Sequence, residues 1–163
     1  MKKIFSILLA SLTLLLAGCG ISNQDLMDSI PTLILQSESG VTAVPSFGYD
    51  WTVTNRWGNG QSVIADTAHP LDTKEDLTAV TLSTGAEVSL HFSKLPDSVT
   101  VTYWSADETD YENGTQLETT FLNDTFCFTA PKTSGQLVFS ITATWSSYDD
   151  VSGTIYYAFR TEA

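Results

Sequence analysis

Leu137-Val138-Phe139-Ser140-Ile141-Thr142-Ala143-Thr144-Trp145 and, a turn later, Gly153-Thr154-Ile155-Tyr156-Tyr157-Ala158-Phe159 decide how this chain folds. Leu137, Phe139, Ile141, Ala143 and Trp145 fall on one face, and a period of two over nine residues describes a strand with one buried side. Ile155, Tyr157 and Phe159 form a second such face, with Tyr156 out of phase. Tyr148 to Gly153 joins the two runs.

The same period recurs upstream in shorter runs. Thr32 to Leu35 reads as a first strand ended by Glu38-Ser39-Gly40. Phe47, Tyr49, Trp51 and Val53 alternate with Gly48, Asp50, Thr52 and Thr54, and Gly58-Asn59-Gly60 turns the chain into a partner over Ser62–Ala65. Residues 66–78 read as a polar connection containing His69-Pro70-Leu71, followed by a local pairing around Val80-Thr81-Leu82. Val88, Leu90 and Phe92, then Val99, Val101 and Tyr103, then Leu117, Thr119 and Phe121, then Phe126 and Phe128 continue the alternation. Pro96-Asp97, Asn123-Asp124 and Pro131–Gly135 supply turns. No helical period lasts three turns beyond residue 20. Eight or nine short strands separated by turn residues predict one all-β domain, an antiparallel β-sandwich of immunoglobulin-like or fibronectin-like kind. No Cys…Trp…Cys pattern is present, and Leu137 stands where a tyrosine corner would place Tyr.

Residues 1–20, MKKIFSILLASLTLLLAGCG, have the layout of an export signal: Lys2 and Lys3, an apolar run from Ile4 to Ala17, then small residues. The run is shorter than the roughly 20 residues a helix needs to cross a bilayer. Leu16-Ala17-Gly18-Cys19 resembles the lipobox of bacterial lipoproteins. That resemblance implies cleavage after Gly18 and a diacylglyceryl group on the Cys19 thiol. The plain alternative is an ordinary secretory signal in which Cys19 is incidental. Each buried methylene contributes about 0.8 kcal/mol, so two acyl chains hold a protein to a membrane stably where one does not. The expected organisation is residues 1–18 as signal peptide, 19–30 as lipidated N-terminus and polar tether, and 31–163 as the sandwich. The expected location is the extracytoplasmic face of the cell membrane.

Losing residues 1–18 lowers the count of Lys and Arg from 7 to 5 against 19 Asp and Glu, and takes the formal charge from −12 to −14. Such a surface repels phosphate backbones and anionic headgroups, which argues against a nucleic-acid partner. With Cys19 acylated, Cys127 is the one thiol left, so no internal disulfide can form. It alternates with Phe126 and Phe128 on a strand, away from any helix dipole that would stabilise a thiolate, and reads as a structural side chain.

Little in the chain points to catalysis. No G-x-S-x-G elbow occurs, and His69 and His91 lie in different segments without metal-site spacing. His91 is out of phase with Leu90 and Phe92 and is expected to face solvent. Asp107, Glu108, Asp110 and Glu112 crowd one loop, which makes Asp107, Asp110 and Glu112 candidate Ca²⁺ ligands. Their spacing does not match an EF-hand, and a solvated acidic loop explains them more simply. Neither a cofactor nor an enzymatic activity is expected.

Aromatic residues are the stronger lead. Trp57 sits in the Asn55–Gly60 turn, Trp104 is out of phase with Val101 and Tyr103, and Tyr156 with Ile155 and Tyr157. Rings shown on a loop or sheet face can stack on sugars or anchor an interface, which makes Trp57, Trp104 and Tyr156 candidate ligand-binding residues. The plainer alternative has them filling a core between sheets or under a loop.

Tyr49-Asp50-Trp51, His69-Pro70-Leu71, Tyr103-Trp104, Thr144-Trp145 and Gly153 to Phe159 together resemble a group of small surface lipoproteins of Gram-positive bacteria, in which an acidic β-rich domain follows a lipobox. The resemblance implies anchor and fold and carries no activity with it. The expectation is a lipid-anchored, non-enzymatic binding or adaptor module at the cell envelope, recognising protein or cell-wall glycan. Its alternatives are an envelope-maintenance protein without a discrete ligand and, further off, a small hydrolase.

Overall fold

The computed structural model describes residues 21–55, 58–148 and 150–162, at 147 and 148 the backbone alone. The stretch read as an export signal, Cys19 and Trp57 lie outside the described residues. The elements begin with a short helix α1 (Asn23–Asp28), followed by β1 (Leu33–Ser37), β2 (Gly40–Val44), β3 (Ser46–Thr54), β4 (Gly60–Ala65), β5 (Thr78–Val80) and β6 (Glu87–Phe92). Then come β7 (Ser98–Ser105), β8 (Thr115–Leu117), β9 (Thr119–Leu122), β10 (Thr125–Thr129), β11 (Leu137–Tyr148) and β12 (Val151–Thr161).

Two antiparallel sheets pack face to face as a β-sandwich. One has the order β2-β1-β6-β10-β9 and the other β4-β3-β12-β11-β7-β8, with β5 added alongside β12. The alternating runs explain the packing directly. Leu33 and Leu35, Val88 and Leu90, and Phe128 point inward from the first sheet. Val99 and Val101, Phe139, Ile141, Ala143 and Trp145, and Ile155, Tyr157 and Phe159 meet them from the second. Phe139 lies directly opposite Phe159 in the β11–β12 ladder, and their rings stack at 4.6 Å. Trp51 meets Trp145 edge-on at 5.3 Å.

Twelve described strands exceed the eight or nine expected, because short edge pieces add to the count: β2 folds back on β1 from Gly40, β8 pairs with β7, and β5 rests on the sequence-distant β12. Val80 does not pair locally. β5 runs parallel to the end of β12, with Thr78 opposite Phe159 and Val80 opposite Thr161.

Phe47 departs from the predicted face. The register between β12 and β3 shifts so that Tyr156 opposes Gly48 and Tyr157 opposes Ser46, leaving Phe47 as the extra residue of a β-bulge. An inserted residue reverses the phase. Phe47 therefore packs on the outer side of the second sheet while Tyr49 and Val53 pack inward.

That outer side carries a second, smaller core. Leu71 and Leu77 cover Trp104, Ala106, Val138 and Ala158, and Pro70 is buried with them. The segment 66–78, expected to be a polar connection, is thus a packed strap. Its apolar residues are too widely spaced to show a period.

Within the stretch read as a tether, α1 is anchored at both ends. Ser22 Oγ accepts from Asp25 N–H at 3.1 Å while the Asp25 carboxylate accepts from Ser22 N–H at 3.2 Å, a reciprocal capping box. Leu26 is 4 % exposed and joins the main core. Past the helix, Trp51 Nε1 donates to Ser29 Oγ at 2.9 Å, and that hydroxyl donates onward to the Leu26 carbonyl at 2.6 Å.

Candidate functional site

Tyr156 and Trp104 emerge from the same surface, the outer face of the second sheet. Tyr156 is flanked in the sheet by Thr142 on β11 and Gly48 on β3. With a short side chain on one side and none on the other, its ring lies over the sheet and remains 40 % exposed. A Cβ at Gly48 would sit 3.0 Å from both the Ala65 carbonyl oxygen and Thr67 Cγ2, so a side chain there would press on the end of β4 and on the strap.

Trp104 faces the same way from β7 but is 8 % exposed, because two loops close over it. The His69 ring meets it edge-on at 4.9 Å, and Tyr111 stacks on His69 at 4.0 Å. Trp104 Nε1 donates to the Tyr111 carbonyl at 2.9 Å, and Tyr111 O–H donates to Asp72 Oδ1 at 2.6 Å. The Lys74 ammonium donates to the Ala106 carbonyl. These contacts clasp the strap to the acidic loop. Gly114 completes the seat, since a Cβ there would come within 2.6 Å of the Trp104 ring.

Between clasp and sheet edge lies an open groove of about 720 Å³. Its walls include Asp50, Ile64, Thr67, His69, Trp104 and Tyr156, with Ser140 and Thr142 on its floor. Ile64 is 64 % exposed at the β4 edge. Among the described residues no Lys or Arg lines the groove.

Partial burial favours the neutral form of His69. Burial lowers its pKa, and this outweighs the opposing pull of Asp72. Leu71 N–H donates to Nδ1 at 3.3 Å, which places the imidazole proton on Nε2. Tyr111 is pushed the other way, its phenol proton held by Asp72.

In the acidic loop the carboxylates serve the backbone. Asp110 Oδ1 accepts from Glu112 N–H at 3.0 Å and caps the single 3₁₀ turn Tyr111–Asn113. Glu108 accepts from the N–H groups of Thr109 and Asp110 and from the Asn113 amide, which holds its pKa below the usual carboxylate value. Among the described residues no three His, Cys, Asp or Glu side chains gather as a metal site, and Asp107, Asp110 and Glu112 form no such cluster.

The other singled-out residues fall elsewhere. His91 is exposed on the outer face of the first sheet, and half-buried Cys127 shares that face, with Sγ 3.5 Å from Ser89 Oγ. Trp104 and Tyr156 line one groove. His69, Asp50 and Ile64 complete it from segments whose sequence carries no sign of their meeting. Ile64 is exposed there on an edge strand, which its place in the sequence does not reveal.

The chain matches no family model, no curated protein and no solved structure.

Proposed function

We propose that this protein is a lipid-anchored, extracytoplasmic binding module that holds cell-wall glycan in the groove over its second sheet. The observation that carries this reading is the composition of the groove: the exposed ring of Tyr156 and the edge of the Trp104–His69 pair alternate with Thr67, Ser140, Thr142 and the Asp50 carboxylate. Sugar rings present C–H faces that stack on aromatic rings, and hydroxyls that need donors and acceptors beside them. Among the described residues no basic side chain lines the groove, and on a chain of strongly negative net charge this favours neutral or amine-bearing sugars over polyanions.

Export signal and lipobox support the anchor and the location outside the cytoplasm. They also supply the reason for an acidic surface with no use for nucleic acid. The repeated passage of the chain between sheets, from β2 to β3, β5 to β6, β6 to β7, β8 to β9 and β10 to β11, supports an immunoglobulin-like or fibronectin-like kinship for the sandwich.

Co-sedimentation with purified peptidoglycan tests the reading. Wild-type protein is expected in the pellet, and Tyr156→Ala in the supernatant with an unchanged thermal midpoint. A wild-type protein that stays in the supernatant refutes glycan binding, and retention of Tyr156→Ala at wild-type strength refutes the groove as its place.

A further inference from the structure

Resting on the lipid anchor proposed above, we infer that the sandwich lies directly on the bilayer, with the flank that carries α1 against the lipid headgroups. The lipid then fixes the orientation of the domain and does not merely keep it near the membrane.

The reason is the length of chain between lipid and folded body. Ile21 is half-buried and packs against the main core. Immediately after it Ser22 is fixed by the capping box, Leu26 is buried, and Ser29 is bound to Trp51. The body therefore starts two residues beyond Cys19, a reach of about 7 Å fully extended. A domain of this size has a radius of gyration of about 15 Å, so a leash that short cannot let it turn another face to the membrane.

Which flank is held follows from the packing of α1. Met27 Sδ accepts from the Tyr49 hydroxyl at 3.7 Å, Ser29 accepts from Trp51, and the helix packs beside β4. β4 is one edge of the second sheet and β8 the other. Five strand spacings separate them, about 24 Å, so β8 and β9 stand away from the lipid. The groove, walled from Ile64 on β4 to Trp104 on β7, then opens sideways along the membrane surface. On α1 itself, Asp25 and Asp28 are exposed and no basic residue is present, so the contact rests at headgroup level and is held by the acyl chains, not by anionic lipid.

Energy transfer from a short-range donor to acceptor-labelled lipid in phosphatidylcholine vesicles tests this on the full, exported chain. In a Cys127→Ser background, Asn23→Cys places the donor on α1 and Glu118→Cys places it between β8 and β9. Intact mass and partitioning into detergent first establish whether Cys19 is acylated. An unmodified Cys19 overturns both the anchor and the orientation. With Cys19 acylated, transfer from residue 23 is expected to exceed that from residue 118 by about twofold or more, given the strand spacing. A flexible Gly/Ser insert of about 12 residues between Gly20 and Ile21 should bring the two values together. Equal transfer from both sites without the insert overturns the orientation and leaves the anchor standing.

Discussion

Gly153 shows how one residue can hold two strands together. Its φ is +145°, and a Cβ there would lie 2.1 Å from the Asp50 carbonyl oxygen. Gly40 has nearly the same φ, +142°, with nothing near its missing side chain. Gly40→Ala therefore isolates backbone strain, and Gly153→Ala adds a collision between β12 and β3. Urea denaturation is expected to show a loss on the order of 3 kcal/mol for Gly153→Ala and about 1 kcal/mol for Gly40→Ala. Equal losses would mean that β3 gives way freely. A second residue-scale consequence concerns His69. Its folded pKa lies below the ordinary value of 6.5, so the folded state binds fewer protons at that site than the unfolded chain. The stability it contributes is fully present above the ordinary pKa and is lost as pH falls through the lower folded value. Asp97 and Glu108, held ionised by hydrogen bonds, lose theirs only below the ordinary carboxylate range. Between about pH 7 and 5 the thermal midpoint should therefore fall in the wild type and flatten in His69→Phe, which keeps a ring but cannot charge. Parallel curves for the two proteins would show that His69 is not the group responsible. Sequence phase alone placed His91 and Cys127 correctly, because each sits on a regular strand. Nothing in it placed His69 against Trp104, since a loop residue has no phase to read.

At the scale of elements, regular strands were legible and irregular ones were not. The faces of β11 and β12 follow from alternation over more residues than any turn or bulge interrupts. Phe47 lies on the same alternating run as Trp51, yet a single inserted residue sends it to the opposite side of the sheet. The strap over the second sheet buries Pro70, Leu71 and Leu77 at intervals that fit neither a helix nor a strand. α1 is different, because Ser22-Asn23-Gln24-Asp25 carries a helix-start pattern that its polar surroundings obscure. The consequence is measurable. Leu26→Ala should cost about 2–4 kcal/mol in denaturant titrations, as expected of a core leucine. Val41→Ala, on an exposed edge, should stay within about 0.5 kcal/mol. A Leu26→Ala protein as stable as wild type would return residues 22–30 to the role of a free tether.

Across the whole molecule, the two faces of the second sheet divide the labour. Its inner face supplies the larger part of the sandwich core, and its outer face, half roofed by the strap and half open, supplies the groove. This division explains why out-of-phase aromatics mark the groove: a side chain that breaks the inward alternation has to be covered by a loop, as Trp104 is, or left at the surface, as Tyr156 is. The four tryptophans of the chain allow a direct test, because their indole N–H groups give separate signals in an amide-correlation spectrum. Soluble peptidoglycan fragments titrated into the labelled protein should shift the Trp104 indole, which borders the groove, and leave those of Trp51 and Trp145, buried between the sheets, in place. Tyr156→Ala should abolish the shift. A Trp104 signal that stays still at saturating glycan, or moves equally with and without the Tyr156 ring, would contradict glycan recognition in this groove.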